Sequence, residues 1–170
     1  AGLDVRWPVL FSTTSATHVL EPVVQIFARN NERYAGELPN EDAQSFVFDA
    51  SNLLERDKFS GWDRIEGGTR ANFALRYSGT YSNGWSANAL FGQSYHLAGQ
   101  NPFASPDLVA VGAYSGLETD TSDFVAAAGL ANGRGLSFGA RGRFDERTFE
   151  TRRAEAEMGY TGTPVSGSLK

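Results

Sequence analysis

The chain has 170 residues, of which 41% are hydrophobic and 21% are charged, and this content excludes a disordered polymer. A net charge of −5 gives no basic surface, so no nucleic-acid partner is expected. The absence of Cys excludes disulfides and thiolate metal sites within this segment. No apolar run reaches the length of a membrane-spanning helix, whereas a strand of a membrane β-barrel needs only about 10 residues of alternating polarity.

The first two predicted strands each contain a proline. Residues 3–13 alternate, with Val5, Trp7, Val9 and Phe11 on one face, and residues 19–29 form the second strand. Pro8 and Pro22 weaken both predictions, because proline cannot donate to a strand ladder. A long polar connection, about residues 30–69, follows.

The clearest hairpin is centred on Ser82-Asn83-Gly84. Before this turn, one face carries Phe73, Leu75, Tyr77 and Tyr81, and after it the apolar stripe continues through Trp85 and Phe91. Alternation with period two around Asn-Gly is a strong hairpin signal. Tyr81 and Trp85 flank the turn on the apolar side, which is typical of aromatic residues at a membrane interface.

After a second long connection, about residues 97–122, three more strands follow at 124–131, 135–145 and 149–160. The chain therefore predicts an all-β fold, an antiparallel up-and-down meander of about eight strands. The apolar stripes stay on one face only if odd turns or bulges lie at 82–84, 132–134 and 146–148. In the last hairpin we expect Arg141 opposite Arg153 and Gly139 opposite Glu155.

The polar stripe carries charges of both signs among Gly, Ser and Asn. The other short turns fall at one end of the predicted sheet, and the two long connections fall at the opposite end together with the short 146–148 turn. Apart from that turn, this is the plan of an outer-membrane barrel. We therefore expect residues 1–170 to form an open segment of one large transmembrane β-barrel, with extracellular loops at about 30–69 and 97–122. The charged residues expected to face its lumen are Arg76, Arg141, Arg143, Arg153, Glu155 and Glu157.

No motif predicts an enzyme, a cofactor or a metal site. Residues 135–139 match G-x-S-x-G, but that pattern needs a strand-to-helix elbow, and here it lies within an alternating strand. His18 and His96 have no ligand-like neighbours in the sequence and are expected at strand ends. The acidic stretch 118–123 lacks the Gly and terminal Glu of a calcium loop.

Several short runs, in the same order along the chain, resemble the LptD family of outer-membrane lipopolysaccharide-assembly proteins. The run FSGWDRIEGG at 59–68 is similar to the family's F-S-G-x-D-R segment, and HVLEP at 18–22 to its x-V-L-E-P strand. RWP at 6–8, LPNED at 38–42 and GQSY at 92–95 also resemble family segments.

The resemblance implies a translocon of the Gram-negative outer membrane, with lipopolysaccharide as passenger. It also implies an LptE-like lipoprotein plug in the lumen, and an LptA-like periplasmic bridge reached through an N-terminal domain outside this chain. The chain would then be an interior fragment of the barrel, embedded in outer-membrane lipid. In this setting Asp63 and Arg64 are expected to anchor the first long loop where it re-enters the barrel.

Two other classes remain open from the sequence. A generic porin or receptor barrel would show the same alternation, and the ordered resemblance would then be coincidence. A soluble β-sandwich with one wet face is the second alternative. It predicts two packed sheets that fold in water, whereas an open sheet with an apolar outer face should aggregate there.

Overall fold

A computed structural model of the chain describes residues 1–31, 46–59, 64–104, 114–162 and 166–169. These residues form strands and connections, and none of their segments is a helix long and apolar enough to cross a membrane. The strands in chain order are β1 (Gly2–Arg6), β2 (Val9–Ser12), β3 (Ala16–Arg29), β4 (Gly68–Tyr81), β5 (Trp85–Ala98), β6 (Phe124–Asn132), β7 (Leu136–Phe144), β8 (Thr151–Thr161) and β9 (Ser166–Leu169).

All nine strands belong to one antiparallel sheet, and from β2 to β9 strands that pair are neighbours in sequence. β1 and β2 both pair with β3, and the order then runs from β3 to β9 without a crossover. The predicted all-β meander is thus confirmed. The described residues form a single open sheet instead of the two packed sheets that a sandwich requires.

The first predicted strand is split where its proline lies. Arg6 pairs with Val23 and Val9 with Leu20, so β1 and β2 keep one register along β3. Between them, Trp7 N donates to Pro22 O at 3.1 Å. Pro22 has no N–H to return the bond, and the ladder is therefore interrupted at this pair of residues.

The tight turns from β4 to β5 and from β6 to β7 each contain three residues. Residues 82–84 connect β4 to β5 at the predicted position, and residues 133–135 connect β6 to β7, one residue later than predicted. Each turn ends with a glycine at positive φ, 83° for Gly84 and 90° for Gly135. Because the turns have odd length, both apolar stripes stay on one face, as the alternation predicted.

The connection from β7 to β8 is longer than predicted, with residues 145–150 in place of 146–148. The Asp145 carboxylate accepts from the backbone N–H of Arg147 and Thr148 at 2.9 and 2.8 Å. These bonds and a contact with Arg152 lower the pKa of Asp145, and the contact with Arg152 contributes most. The carboxylate thereby holds the wider turn together.

The wider turn makes the predicted register of the last hairpin wrong by two residues. Arg141 pairs with Glu155 and Gly139 with Glu157, while Arg153 lies opposite Arg143. A register shift between Arg143 and Phe144 accommodates the turn. Because the error is an even number of residues, every side chain remains on its predicted face.

The two turn glycines give a matched test of the hairpins. A Cβ on Gly84 would meet no atom within 4 Å, whereas a Cβ on Gly135 would lie 1.8 Å from Thr161 O. Gly84→Ala should lower the free energy of unfolding by about 1–2 kcal/mol, the cost of a left-handed residue with a Cβ. Gly135→Ala should cost about 1–3 kcal/mol more, because the backbone of β8 must move.

The measurement is urea unfolding of the protein in detergent, monitored by the gel mobility of unheated samples. Equal losses for the two variants would contradict the close approach of the 133–135 turn to β8.

Candidate functional site on the polar face

One row of paired residues crosses six strands and defines the polar face. Glu21 pairs with Arg76, Arg76 with Leu90, Leu90 with Ala127, Ala127 with Arg141, and Arg141 with Glu155. Arg143, Arg153 and Glu157 lie two residues along their strands from members of this row. All six charged residues predicted to share a face therefore do so, because side chains alternate along a strand.

Half of this face is covered by parts of the two long connections. We call residues 46–59, 101–104 and 114–117 the loop cap. Its buried apolar side chains pack onto Val23, Ala74 and Val125 of the sheet. They are Phe48, Leu53, Phe59, Phe103 and Leu117. This buried apolar cluster thus lies on the polar face, at the end with long connections.

Ionic side chains are buried beneath the cap. Lys58, Glu66 and Arg70 are each at most 5% exposed. Lys58 Nζ lies 3.7 Å from Glu66 Oε2 and 3.3 Å from Asn72 Oδ1, and Arg70 forms an ion pair with Glu66. Burial lowers the pKa of Lys58 to about 8, although the Glu66 carboxylate opposes this shift.

Neutral polar groups extend this network across the sheet. The Asn72 amide donates to Gln25 Oε1 at 3.3 Å, and the Gln25 amide donates to Asp4 Oδ2 at 2.8 Å. Ser94 Oγ donates to Asn72 Oδ1 at 2.7 Å. The cap is therefore connected to β1, β3, β4 and β5 through hydrogen bonds as well as through apolar packing.

Arg143 attaches the second long connection to β7. Its Nε lies 3.2 Å from Asp123 Oδ2, and its Nη2 donates to Tyr114 O at 2.9 Å. Its Nη1 donates to Ser115 O. The Arg143 side chain is only 11% exposed, so it holds the cap instead of facing open solvent.

The other predicted charges form exposed pairs. Arg76 Nη1 lies 3.0 Å from Glu21 Oε2, and Arg153 Nε donates to Glu155 Oε1 at 2.6 Å. Arg141 lies 3.3 Å from Glu155, 3.8 Å from Glu157 and 3.9 Å from Asp49 of the cap. Exposed pairs of this kind contribute at most about 1 kcal/mol each.

A cavity of about 830 Å³ separates the tip of the cap from the polar face. Its lining includes Ser51, Asn88, Ala127, Arg141 and Glu157. Small residues leave room on the sheet side, and charged groups of both signs surround the opening. The cavity can therefore hold water or a polar group.

Arg64, predicted to anchor a loop, is buried between two segments of the cap. Its Nη2 donates to Pro102 O at 3.4 Å, and its guanidinium lies 5.0 Å from the centre of the Phe59 ring. These contacts join the ends of the two long connections. Asp63, the other half of the predicted anchor, lies outside the described residues.

The opposite face is apolar and ends in an aromatic cluster at the short turns. Tyr81 and Trp85 flank the 82–84 turn, and Tyr81 Oη lies 3.1 Å from Tyr77 Oη. His18 Nδ1 lies 2.8 Å from Tyr77 Oη, and its ring stacks on Phe11 at 4.9 Å. His18 is thus part of an aromatic band, which the sequence analysis did not predict.

The described residues contain no elbow and no metal cluster. The 135–139 run begins in the turn and continues into β7. His96 Nε2 lies 3.1 Å from Gly99 O. In this part of the chain no three His, Asp or Glu side chains meet in an arrangement suited to a metal ion.

The loop cap is the part of the site that sequence reasoning missed. The available signal was apolar residues in connections that were expected to be polar, such as Phe48, Leu53 and Phe103. Large apolar side chains in a connection need a surface on which to pack. Their number indicates a folded loop, but not the face that it covers.

The buried ion pair gives the first test of the cap. Glu66→Gln leaves Lys58 and Arg70 without their carboxylate, and breaking a buried pair in this way costs about 3–5 kcal/mol. Glu21→Gln, which removes the exposed partner of Arg76, should cost at most about 1 kcal/mol.

Hydrogen exchange of residues 46–59 measures the difference between the two variants. Glu66→Gln should accelerate exchange there, and Glu21→Gln should not. Equal protection in both variants would show that the ion pair does not hold the cap.

The lowered pKa of Lys58 gives a pH test with a defined sign. The folded pKa of about 8 lies below the ordinary value of 10.5, so protonation favours the opened cap. The penalty is fully present below pH 8 and disappears as the pH rises from 8 to 10.5. Cap stability should therefore increase over this range by up to about 3 kcal/mol.

Lys58→Met is the control, because it keeps the stem of the side chain and removes the titrating group. The comparison is hydrogen exchange of residues 46–59 at pH 7.5 and 9 in both proteins, so that intrinsic exchange rates cancel. A pH dependence that persists in Lys58→Met would assign it to another group.

The family LPS transport system D (LptD) matches residues 1–169, essentially the whole chain. No curated protein is matched by the chain. The family match agrees with the single antiparallel sheet and with its two faces. The chain belongs to the LptD family, which acts in lipopolysaccharide transport and assembly at the outer membrane.

Proposed function

We propose that the chain is part of the wall of an outer-membrane translocon that inserts lipopolysaccharide into the outer leaflet. The observation that carries this proposal is the LptD match over residues 1–169, combined with a sheet that is apolar on one face and charged on the other. The role is transport instead of catalysis. The residues form part of one transmembrane barrel domain, with the apolar face toward lipid and the polar face toward the lumen.

The exposed side chains of the apolar face support this orientation. Leu75, Phe91, Leu130, Phe138 and Met158 are each more than 40% exposed, and they lie on the same face of five successive strands, β4 to β8. In water such a continuous apolar surface would favour aggregation. In a bilayer it is the surface that lipid requires.

The long connections, about residues 30–69 and 97–122, then lie outside the cell, and the loop cap closes the outer end of the lumen along this wall. The buried cluster around Phe48 and Leu53 and the clamp by Arg143 support a fixed cap. A passenger with a large sugar head would leave sideways into the membrane. An open porin channel is less compatible with a lumen wall that is half covered.

The partners proposed are lipopolysaccharide, surrounding outer-membrane lipid, an LptE-like lipoprotein plug in the lumen and an LptA-like bridge. The bridge would be reached through a periplasmic domain outside this chain. The exposed charges Arg76, Arg141, Arg153, Glu155 and Glu157 would solvate the lumen below the cap. Asp63 and Arg64 would anchor the first loop, and Tyr81 and Trp85 would lie at the periplasmic interface.

The proposal predicts different effects for two arginines of the polar face. Arg143→Met in the full-length protein should loosen the cap and admit a large hydrophilic antibiotic, because the clamp on Ser115 and Tyr114 is lost. Arg76→Met removes only an exposed pair and should leave the barrier intact. The measurements are antibiotic sensitivity and lipopolysaccharide at the cell surface after depletion of the native copy.

Surface lipopolysaccharide should persist in both variants and disappear when the whole protein is depleted. Delivery that continues after depletion would overturn the translocon role. An unchanged barrier in Arg143→Met would overturn only the closing role of the cap.

A further inference from the structure

The apolar face contains a groove in the half nearest the long connections. It has a volume of about 720 Å³ and is lined almost entirely by apolar atoms. Side chains of four strands contribute to it, from β3 to β6. Its aromatic residues are Phe73, Phe91, Tyr95 and Phe124.

Two pairs of aromatic rings form the walls of the groove. Phe73 and Tyr95 meet edge to face at 5.6 Å between ring centres, and Phe91 stacks on Phe124 at 5.5 Å. Phe149, at positive φ, extends the second pair by stacking on Phe124 at 4.6 Å. Each pair restricts the rotation of its rings, so the walls are preformed.

The groove is deep because two residues at its base, between the aromatic walls, do not project into it. Ala71 is small and only 2% exposed, although it lies on the outward face. Gln93 is 6% exposed, and its amide donates to Ser122 O at 2.7 Å while its carbonyl accepts from the Tyr95 hydroxyl. The one long polar side chain of the groove is therefore held against the sheet, with its hydrogen bonds satisfied.

We propose that this groove binds an acyl chain of lipopolysaccharide resident in the outer leaflet, at a site on the outer wall of the barrel. The inference rests on the proposed function, which puts the long connections, and hence this half of the face, in that leaflet. The groove is continuous with the lipid-facing surface. An extended hydrocarbon chain is the ligand that matches its apolar lining.

Shape is the source of affinity in this setting. Lipid tails are as apolar as the groove, so burial from water does not favour the site over bulk lipid. An acyl chain in the groove is in close contact with rigid rings, and this contact adds dispersion energy that the mobile acyl chains of bulk lipid do not supply. Removing a wall should therefore weaken retention by a modest factor, about fivefold.

The test uses the full-length protein with its lipoprotein partner, extracted in mild detergent. Native mass spectrometry counts bound lipopolysaccharide after washing and after titration with lipopolysaccharide or phosphatidylethanolamine. The variants are Phe73→Ala and Phe91→Ala, with Phe138→Ala as control. The control ring lies on the same face with similar exposure, 41% against 45% for the other two.

We expect the two groove variants to carry one lipopolysaccharide fewer than the wild type, or to hold it about fivefold more weakly. Phe138→Ala should match the wild type, and gel mobility of unheated samples verifies folding. Equal retention of lipopolysaccharide by all variants would overturn the proposal. Retention of phosphatidylethanolamine by the wild type equal to its retention of lipopolysaccharide would overturn it as well. Surface delivery after depletion tests the translocon role separately, so the two failures are distinguishable.

Discussion

The constraint on which the structure depends is that every strand must present its apolar side chains to one side of the sheet and its polar side chains to the other. Side chains alternate along a strand, so a single-residue slip would put a charged stripe beside an apolar one. The three-residue turns at 82–84 and 133–135 prevent this slip, because odd turns preserve parity. The row from Glu21 to Glu155 shows the result over six strands.

Once the faces are fixed, the polar face carries two kinds of ionic interaction with different consequences. Arg76 and Arg141 make exposed pairs, which water screens and which contribute little to stability. Glu66 lies beneath the cap with two cations, where loss of one partner leaves an uncompensated buried charge. The charges that hold the architecture are therefore those that the cap conceals.

The cap also changes the physical character of the polar face. Apolar side chains of the two long connections pack on Val23, Ala74 and Val125, which are apolar residues within the otherwise polar stripe. The part of this face nearest the long connections is consequently a packed core, and the part beside Arg141 remains open. One sheet thus has an exposed apolar surface on one side and both a core and a polar surface on the other.

The sequence by itself determined the strands, their order and their faces, because period-two alternation and turn chemistry depend on residues that are close in the chain. Pro8 and Pro22 even marked the interruption between β1 and β2. The structure decided the register of β7 with β8, since the Asp145 carboxylate enlarges the turn beyond its predicted length. It also decided the cap and the outer groove. Both depend on packing between residues distant in sequence, such as Phe59 with Phe103, for which the chain carries no periodic signal.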